Sequence, residues 1–379
     1  MILHLVHDEK IINRTIAIFE EVAPNQNIFV VFTRHQLKLI KPHQNVILFQ
    51  DFGQQYKGEK FSQVIIHFLN SRKIRFINKY IAKGTPIYWI IWGNDLYNKL
   101  LYPKGYEIYD TQSSYYKKVK KSFIKNLVNK VIDNFKTVKI EKFISKYIDY
   151  IIVDSTQTDY DMLLKYYPKL KNIPSKEFFY YPIEVTLGEE LIKKSVEDNN
   201  IQIGNSASIT NNHEYVMRFL SKLTIGNRNV YVPLSYSGTN EYKNTVKRKG
   251  LECFGDKFKS LDDFLPLEEY NKLMLSVGFA IYGNFRQEAI GNVVISLYLG
   301  AKVFFPENAP FHLWAQKLNL IVFKLESISQ EEIDQPLDAN SRAHNRSIIL
   351  EYYNMERLKS LITKNFIIKH ADSFRKKNI

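Results

Sequence analysis

The sequence predicts an α/β protein built from two doubly wound, Rossmann-like domains of similar size. At 379 residues, the chain is longer than one typical core requires. Each half alternates short segments rich in Val, Ile and aromatic residues with helical segments, as in parallel sheets with right-handed crossovers. Residues 172–186 contain Pro174 and Pro182 and are typical of an extended linker. We therefore predict one domain at residues 1–185 and a second at residues 186–379.

The first half is predicted to carry polar residues where two of its strands end. We predict strands at 2–6, 28–32, 46–49, 86–92 and 150–153, and helices at 13–22, 60–71, 73–83 and 155–167. In a parallel sheet, ligands lie beyond the carboxyl ends of the strands. His7, Asp8 and Glu9 follow the strand at 2–6, and Asn94 and Asp95 follow the strand at 86–92. These five residues therefore indicate a single crevice.

The second half repeats the alternation and adds a small-residue loop. We predict strands at 201–204, 229–234, 279–282 and 302–305, and helices at 212–223, 241–249, 267–276, from near 291, and at 347–369. Gly204-Asn205-Ser206-Ala207-Ser208 lies between a strand and a helix, where free N–H groups favour a phosphate. The loop lacks the Gly-Lys-Ser/Thr of a Walker motif and is not a GxGxxG fingerprint.

A second loop in this half carries chemistry suited to a diphosphate. It precedes the helix near residue 291 and contains Arg286, Gln287, Glu288, Gly291 and Asn292. The N-terminus of a helix carries about half a positive charge. Gly291 would let the backbone approach a ligand closely, and the Arg286 guanidinium would add a forked cationic clamp. The alternative is a surface loop before an ordinary helix.

Composition indicates a reducing compartment and an anionic partner. The net charge is +14, and residues 1–185 carry 28 Lys and Arg against 17 Asp and Glu. The single cysteine, Cys253, cannot form an intramolecular disulfide. Neither a signal-peptide pattern nor an apolar run of membrane-spanning length is found. We expect a cytoplasmic protein, or one attached to the inner face of the membrane.

The segment Lys117–Lys146 is the most basic part of the chain. It contains ten lysines against Asp133 and Glu141, with apolar residues between them at helical spacing. A basic amphipathic helix of this kind can lie on an anionic lipid surface. The alternatives are a helix packed on its own domain and, less favoured, aromatic stacking on single-stranded nucleic acid. No nucleic-acid-binding signature is found, so we predict no nucleic-acid partner.

The run Asp159-Tyr160-Asp161 spells the D-x-D of metal-dependent glycosyltransferases. Both acids fall in the first turn of a predicted helix, where the helix dipole alone favours carboxylates. We therefore favour a structural role for them and predict no metal site.

Several motifs resemble one glycosyltransferase family. Trp89–Tyr97 (WIIWGNDLY) resembles the W-x-I-W-G-x-D-L-Y of the TDP-N-acetylfucosamine:lipid II N-acetylfucosaminyltransferase family, which acts in enterobacterial common antigen assembly. Four further segments resemble its motifs in the same order, over roughly residues 1–320: Asp8 with Asn13-Arg14-Thr15 (D…N-R-T), Ile203–Ser206 with Asn211 and His213 (V-G-N-S…N-x-H), Val232–Tyr236 (V-P-x-x-Y), and Arg286-Gln287 with Ile290-Gly291 (R-Q-x-x-I-G). Glu288 and Ala289 depart from the Gln and Gly expected there.

The resemblance implies a GT-B fold, with a cleft between the two domains and a C-terminal helix that packs back on the N-terminal domain. It also implies a hexosyltransferase on the inner face of the membrane that needs neither metal nor cofactor. The enzyme would move a deoxy-amino sugar of the 4-acetamido-4,6-dideoxygalactose type, or a related sugar, from a TDP-linked donor to a polyprenyl-diphosphate-linked saccharide. Such a reaction belongs to surface polysaccharide assembly, as in O-antigen or enterobacterial common antigen.

Residues and resemblance together give a set of expected roles. Donor contacts are expected from Gly204, Asn205, Ser206, His213, Pro233, Tyr236, Arg286, Gln287, Glu288, Gly291 and Asn292. Within this set, the Glu288 carboxylate is expected at the ribose hydroxyls. Acceptor contacts are expected from His7, Asn13, Arg14 and Asn94; for His7 and His213, contact with either substrate stays open. Asp95, Asp8 and Glu9 compete as the general base, with Asp95 favoured because desolvation would raise its pKa.

Two other function classes stay open at this point. The first is a non-catalytic nucleotide-sugar or nucleic-acid binding module of the same fold. The second is a sugar-nucleotide epimerase, for which the dinucleotide fingerprint is missing.

Overall fold

The computed structural model describes residues 1–33, 36–124 and 127–367, without the side chains of residues 119 and 121–134. These residues form two sheets whose strand pairs are all parallel, which confirms the predicted α/β class. The first sheet has the order β3-β2-β1-β4-β5-β6-β7. Its strands are β1 (Ile2–Val6), β2 (Asn27–Val31), β3 (Val46–Leu48), β4 (Gln63–His67), β5 (Ile87–Ile90), β6 (Tyr150–Val153) and β7 (Ser175–Glu177).

Helices connect these strands, and together they form what we call the first lobe. Every residue of β1, β2, β4 and β5 is buried, because helices cover both faces of the sheet. A π-helical segment, Asn94–Leu101, follows β5. The α-helices are α1 (Lys10–Val22), α2 (Phe52–Gln55), α3 (Ser71–Tyr80), α4 (Ser114–Ile124), α5 (Leu127–Tyr147) and α6 (Thr158–Tyr166).

The helix predicted at residues 60–71 is wrong, because this segment contains the central strand β4. Val64, Ile65 and Ile66 are fully buried and fill both faces of the sheet beside β1 and β5. The helix α3 begins later, where the Asn70 side chain accepts hydrogen bonds from two N–H groups of its first turn. An apolar run of this length fits a buried strand as well as a buried helix, and only the neighbouring strands decide between them.

The second sheet, with the order β10-β9-β8-β11-β12-β13, lies at the centre of what we call the second lobe. Its strands are β8 (Asn200–Ile203), β9 (Val230–Pro233), β10 (Phe258–Leu261), β11 (Val277–Ile281), β12 (Lys302–Phe305) and β13 (Phe323–Lys324). The remaining helices are α7 (Ile183–Leu191), α8 (His213–Leu220), α9 (Asn240–Phe254), α10 (Leu267–Leu275), α11 (Ile290–Leu299), α12 (Pro310–Lys317), α13 (Gln330–Asp334), α14 (Ala339–Tyr352) and α15 (Met355–Ile362).

Several elements escaped prediction, and most of them are short or lie at a sheet edge: β7, β10, β13, α2, α7, α12 and α13. The edge strands β10 and β13 are partly exposed, so their apolar pattern is weak. The strand β7 lies inside the predicted linker, and α12 follows the predicted strand at 302–305. The tail is not one helix, because Asn354 accepts a hydrogen bond from the N–H of Arg357 and starts α15 anew.

The chain returns to the first lobe at its end. Phe366 packs against Phe19 and Phe178, and its carbonyl oxygen accepts a hydrogen bond of 2.7 Å from Gln63 Nε2. Arg357 Nη2 lies 2.9 Å from both carboxylate oxygens of Glu177. These contacts attach the tail to the strands of the first sheet.

The basic segment Lys117–Lys146 belongs to two helices, and the structure describes side chains along only part of it. Ile140, Phe143 and Ile144 are buried in the first lobe. Phe135 and Val138 point outward, with exposures of 73% and 46%. The predicted lipid-facing side chains at residues 121–134 lie outside those described. None of the helices in the described ranges is long and apolar enough to cross a membrane.

Candidate active site

Both sheets reverse their winding direction at a central pair of strands. In the first lobe the chain leaves β1 and β4 toward opposite sides, and in the second lobe it does so at β8 and β11. In doubly wound sheets, ligands bind beyond the carboxyl ends of such strands. The loops after β8 (residues 204–212, the β8 loop) and β11 (residues 282–289, the β11 loop) therefore mark the second lobe's site.

The β8 loop is held in shape by one asparagine. Asn211 Oδ1 accepts a hydrogen bond of 2.9 Å from the N–H of Asn205, and Asn211 Nδ2 donates to Ser206 Oγ at 3.2 Å. Gly204 has φ +65°, and a Cβ there would lie 2.6 Å from Asn211 Oδ1. The sharp turn at Gly204 therefore requires glycine. The predicted residues Gly204, Asn205 and Ser206 thus form one compact turn at the end of β8.

The β8 and β11 loops cross in direct contact. A Cβ at Gly283 would lie 2.6 Å from the carbonyl oxygen of Asn211, so the two backbones meet there. Asn212 Nδ2 donates to the carbonyl oxygen of Gly283 at 2.8 Å. Asn284, which is fully buried, donates from Nδ2 to the carbonyl oxygen of Thr210 at 3.1 Å. The predicted pair of loops is therefore brought together.

A buried ion pair lies at this crossing. Arg286 Nη2 is 2.9 Å from Glu288 Oε2, and the two side chains are only 7% and 12% exposed. The same carboxylate oxygen accepts hydrogen bonds from Thr210 Oγ1 at 2.6 Å and from Asn284 Nδ2 at 2.9 Å. Glu288 therefore bonds to residues of both loops and is not an exposed loop acid. Its other oxygen, Oε1, remains available to a ligand.

The N-terminus of α11 follows the β11 loop, as predicted. A Cβ at Gly291 would lie 2.8 Å from the ring of Tyr181, so the ring of Tyr181 occupies the space that we expected a ligand to use. The N–H groups at the start of α11 have no intrahelical partners, as at the start of any helix. Asn292 Nδ2 donates to Tyr270 Oη at 3.2 Å within the second lobe, which favours a structural role over a ligand contact.

His213 is fully buried at the start of α8. Its Nδ1 lies 3.0 Å from Tyr242 Oη, and burial lowers its pKa to about 3, so the ring is neutral. The Nε2 of His213 is buried, has no hydrogen-bond partner among the described residues, and lies 3.1 Å from the position of a Cβ at Gly204.

Tyr236 reaches toward the first lobe from the loop after β9. Pro233 is buried as the last residue of β9 and has a structural position. The Tyr236 side chain is exposed, and partial burial followed by the charges of Glu288 and Glu9 raises its pKa. Since Glu288 belongs to the second lobe and Glu9 to the first, the Tyr236 phenol lies between the two lobes.

Among the three carboxylates predicted as bases, only the carboxylate of Glu9 makes no hydrogen bond in the described structure. It is exposed at the start of α1, and its pKa is raised by partial burial and by the charge of Asp8. The Asp8 carboxylate accepts hydrogen bonds from the N–H groups of Lys38, Leu39 and Ile40 at 2.7–3.0 Å. Asp8 therefore holds the loop after β2.

Asp95 is enclosed and fully bonded. Its carboxylate accepts from Trp89 Nε1 at 2.7 Å, from the N–H of Leu69 at 2.8 Å and from the N–H of Trp92 at 2.9 Å. Burial raises its pKa as we expected, but its exposure is only 1%. The aspartate thus ties β5 to the loop after β4, and this geometry favours a structural role over that of a base.

The predicted acceptor residues occupy different environments. Asn13 donates to the carbonyl oxygen of Leu39 and accepts from the N–H of Lys41, so it also holds the loop after β2. Arg14 lies beside the joint between the lobes, with Nη1 3.3 Å from Thr186 Oγ1. Asn94 is half-buried beside Gly93, which lies against Gln287 of the second lobe.

His7 is held inside the first lobe. Asn70 Oδ1 already accepts hydrogen bonds from two N–H groups in the first turn of α3. The other amide atom, Asn70 Nδ2, therefore donates to His7 Nε2 at 3.0 Å. The other ring nitrogen donates to the carbonyl oxygen of Phe32. Burial, followed by the charge of Lys73, lowers the His7 pKa to about 3. Both ring nitrogens are used, which leaves His7 without a free atom for an acceptor.

A buried hydrogen-bond chain runs from the cleft into the first lobe. Trp92 Nε1 donates to Tyr180 Oη at 2.6 Å, and Tyr180 donates to His67 Nδ1 at 2.6 Å. His67 Nε2 then donates to His4 Nδ1 at 3.1 Å, and His4 Nε2 donates to Asn27 Oδ1 at 3.2 Å. The direction is fixed, because an indole N–H only donates and an amide oxygen only accepts. Tyr180 is thereby held at the joint between the lobes.

A strap from the first lobe, residues 106–115, crosses to the second. Its Asp110 N–H donates to Asn212 Oδ1 at 2.9 Å, and its Asp110 carboxylate pairs with Arg218 at 2.8 Å. The Glu214 carboxylate accepts from the N–H groups of Ser114 and Tyr115. Asn212 therefore links the strap to both the β8 and β11 loops, a role that the sequence analysis missed.

Unpartnered buried polar atoms are concentrated at this site. Eight such side-chain atoms occur among the described residues, and four belong to the β8 and β11 loops or the residue next to them: Asn205 Oδ1, His213 Nε2, Asn284 Oδ1 and Arg286 Nε. Buried polar groups without partners are rare in folded proteins, and each one needs an explanation. A ligand bound between these loops would supply the missing partners.

Two other features lie outside this site. The Asp159 carboxylate accepts from Tyr97 Oη at 2.7 Å, and that of Asp161 pairs with Lys317 of the second lobe at 2.5 Å, so the D-x-D acids have separate partners. Among the described residues, no group of three or more His, Cys, Asp or Glu side chains could hold a metal ion. An open cavity of about 680 Å³, lined by Asn200, Arg228 and others, lies at the amino ends of β8 and β9.

Comparison with known proteins decides the family. Residues 152–363 match the model of the 4-alpha-L-fucosyltransferase family, glycosyl transferase group 56, over more than half of the chain. The chain belongs to this family. It is therefore a glycosyltransferase, and the predicted resemblance is confirmed at this level. The match covers the whole second-lobe site, whereas residues 1–151 of the first lobe lie outside it.

Solved structures show the same fold at low sequence identity. Sucrose-phosphate synthase of Thermosynechococcus elongatus is similar with a TM-score of 0.65 and 10% identity, over 96% of this chain and 98% of that chain. HepE of Anabaena, in complex with UDP-glucose, is similar with a TM-score of 0.63 and 12% identity, over 96% of this chain and 98% of that chain. WaaG, a glycosyltransferase involved in lipopolysaccharide biosynthesis, is similar with a TM-score of 0.56 and 10% identity, over 96% of this chain and 98% of that chain. The two lobes of this glycosyltransferase therefore form a GT-B fold.

Proposed function

We propose that this glycosyltransferase uses a nucleotide-diphosphate sugar that binds across the β8 and β11 loops. The observation that carries the proposal is the cluster of four unpartnered buried polar atoms where these loops cross. HepE, of the same fold, is known in complex with UDP-glucose, which supports this class of donor. The resemblance of the motifs favours a TDP-linked 4-acetamido-4,6-dideoxy sugar, and a polyprenyl-diphosphate-linked saccharide as the acceptor.

In this proposal the second lobe holds the leaving diphosphate. The N–H groups of Ser206 and of the first turn of α11, together with His213 Nε2–H, donate to the phosphate oxygens. Arg286 contributes positive charge, which Glu288 partly offsets at 2.9 Å. The free Glu288 Oε1 accepts from a ribose hydroxyl, while Tyr236 and Gln287 line the cleft beside it.

The first lobe orients and activates the acceptor hydroxyl. Glu9 acts as the general base, because its carboxylate makes no hydrogen bond to the described residues, its pKa is raised and its charge acts on the Tyr236 phenol. It takes the proton of the acceptor hydroxyl as that oxygen bonds to the sugar carbon. The bond from this carbon to the diphosphate breaks, and its electron pair leaves with the phosphate oxygen. Arg14 and Asn94 contact the acceptor.

We also propose that the protein binds the inner face of the membrane through its basic helices α4 and α5. The exposed Phe135 and Val138 lie among Lys136, Lys139 and Lys142, which are also exposed. Each lysine near an anionic surface contributes about 1 kcal/mol of attraction. Phe135→Asp should reduce flotation with anionic liposomes, whereas Phe264→Asp, at an exposed site of the second lobe, should not. Equal flotation of both variants would remove this part of the proposal.

The donor proposal is tested by calorimetry with TDP, UDP, TDP-glucose and UDP-glucose, and by transfer assays with a lipid-linked acceptor. We expect wild-type protein to bind a nucleoside diphosphate, and Glu9→Gln to bind it equally well while losing transfer at least 100-fold. Binding of none of these probes would overturn the donor proposal. Full transfer by Glu9→Gln would overturn the assignment of the base.

A further inference from the structure

The side chain of Asn284 has a fixed orientation and one unused atom. Its Nδ2 donates to the carbonyl oxygen of Thr210 at 3.1 Å and to Glu288 Oε2 at 2.9 Å, and both of these atoms are acceptors. The amide cannot be flipped without placing its oxygen against two other oxygens. Asn284 Oδ1 is therefore a genuine acceptor, fully buried and without a partner among the described residues.

A hydrogen-bond donor without a partner among the described residues, Arg286 Nε, lies in the same network. Arg286 Nε is buried and unpartnered, while Arg286 Nη2 is bound to Glu288 Oε2, the oxygen that also holds Asn284. One acceptor and one donor are thus fixed by the same carboxylate. A ligand that satisfies both must present a hydrogen-bond donor as well as an acceptor.

The need for a hydrogen-bond donor distinguishes the neutral sugar of a nucleotide-sugar substrate from its charged diphosphate. A diphosphate at neutral pH offers only acceptor oxygens, so it cannot satisfy Asn284 Oδ1. Sugar hydroxyls and the N–H of an acylated amino sugar can do so. An acceptor that is buried without a hydrogen bond is unfavourable, so a sugar that supplies the missing N–H or O–H is favoured over one that does not.

The position of the β11 loop points to the same part of the ligand. The carbonyl oxygen of Phe285 accepts a hydrogen bond from Tyr106 Oη of the first lobe, and Gln287 lies against Gly93 of the first lobe. The stretch 284–287 therefore stands at the boundary between the lobes. The transferred sugar must also stand there, because it receives its acceptor from the first lobe.

We propose that Asn284 is a specificity-determining residue whose side-chain oxygen accepts a hydrogen bond from an N–H or O–H group of the transferred sugar. This inference rests on the proposed nucleotide-sugar donor and names what its sugar must carry. Arg286 Nε donates to a neighbouring oxygen of the same sugar. An amino sugar with an acyl group, or a sugar with adjacent hydroxyls, meets both requirements.

The test compares Asn284→Ala with a matched control in the same lobe. Asn271 is also a buried asparagine whose Nδ2 bonds to a backbone oxygen, at 2.8 Å, and whose Oδ1 is unpartnered, but it lies on α10. Calorimetry would measure the Kd of TDP, UDP and their glucose, galactose and N-acetylglucosamine derivatives. We expect Asn284→Ala to bind the free diphosphate within twofold of wild type and to lose at least tenfold in affinity for the preferred nucleotide sugar. Asn271→Ala should lose neither.

The outcomes distinguish this inference from the donor proposal. Failure of wild-type protein to bind any probe overturns the donor proposal, and this inference with it. This inference alone is overturned if wild type binds normally and Asn284→Ala loses affinity equally for the diphosphate and for the sugar nucleotide. It is also overturned if Asn284→Ala loses affinity for neither ligand, a result that would show that Asn284 Oδ1 holds an ordered water only.

A second measurement needs no variant. Wild-type protein would be titrated with analogues of its preferred donor that lack one sugar hydroxyl or acylamino group at a time. We expect one deletion to weaken binding at least tenfold and the others to have smaller effects. If no single deletion reaches tenfold, the assignment of Asn284 is wrong, even if Asn284→Ala does not fold.

Discussion

Gly93 of the first lobe and Gln287 of the second lobe lie in direct contact. A Cβ at residue 93 would overlap the carbonyl oxygen of Gln287 and lie 2.9 Å from Gln287 Oε1. Gly93 lies in the segment between β5, the strand that carries Trp89, and the π-helical segment Asn94–Leu101, and Gln287 belongs to the β11 loop. The absence of a side chain at residue 93 therefore sets how closely the two lobes approach beside the proposed sugar.

We predict that Gly93→Ala lowers kcat/KM by at least 100-fold. The added methyl group must push the lobes apart, and a shift of about 1 Å between reacting groups can cost this factor. Transfer assays with saturating donor would measure the effect, and small-angle scattering would report the separation of the lobes.

Gly105→Ala is the control for Gly93→Ala. Both glycines have positive φ, +94° at Gly105 and +74° at Gly93, so both substitutions strain the backbone. At Gly105 no atom lies within 4 Å of the added Cβ, so the lobes are not disturbed. Equal losses of activity in the two variants would show that strain, and not the contact with Gln287, is responsible.

The Arg286–Glu288 pair should be strongly coupled. Removing one partner leaves the other buried and unpaired, so we expect Arg286→Ala and Glu288→Ala each to reduce the free energy of unfolding by about 3–5 kcal/mol. The double variant should lose much less than the sum of the two. Urea unfolding of all four proteins would give the coupling free energy.

A surface pair provides the comparison for this cycle. Lys272 and Glu268 are 2.7 Å apart, but they are 56% and 69% exposed. Their coupling should be far smaller than that of Arg286 and Glu288 because water screens them. A similarly small value for Arg286 and Glu288 would contradict the enclosed geometry of that pair.

Buried histidines should make the fold less stable in acid. Burial lowers the pKa of His4 to about 3, whereas the unfolded chain takes up a proton below about 6.5. The stability due to neutral His4 is therefore complete above pH 6.5. It falls by about 1.4 kcal/mol per pH unit as the pH drops from 6.5 toward 3. His4→Gln should remove that part of the slope in urea unfolding between pH 4 and 6.

Other groups modify the total slope, so the variant is compared with wild type at each pH. His7 and His213 act in the same direction, with pKa values of about 3. Burial raises the pKa of Asp159 to about 7, which stabilises the folded state as the pH falls from 7 toward 4. An unchanged slope in His4→Gln would mean that this ring is protonated in the folded state.

The strap should depend on Glu214. Its carboxylate accepts hydrogen bonds from Ser113 Oγ and from two N–H groups at the start of α4. Glu214→Ala should lower the free energy of unfolding by about 2–3 kcal/mol and speed proteolysis near residues 113–118. Glu241→Ala, which removes an exposed partner of Lys118, should cost less than about 1 kcal/mol. Equal protection in both variants would contradict this role of Glu214.

Much of the fold could be predicted because its signals are local. The strands at 2–6, 87–90 and 302–305 are apolar runs with β-branched residues, and the small-residue loop after β8 is visible in the sequence. The strand β4 could not be told from a helix, because a short apolar run has no period of its own. The two edge strands were missed because they bury little.

The candidate site was only partly visible for a different reason. Asp95 follows a buried strand, as a catalytic carboxylate would, yet Trp89 and the N–H groups of Leu69 and Trp92 use its oxygens. Thr210, Asn212 and Asn284 carry no motif that marks them, and they gain their roles only where the β8 and β11 loops cross. Side-chain chemistry shows which atoms can bond, but not which of them remain free.

The sequence by itself determined the two-lobed α/β class, the two loops at the ends of β8 and β11, and the glycosyltransferase family, because these follow from local pattern and motif. Only the tertiary structure decided which polar atoms form hydrogen bonds within the protein and which of the described ones have no partner there. The reason is physical: a hydrogen bond between residues such as Thr210 and Glu288, 78 positions apart, exists only once both sheets have formed and the loops have met.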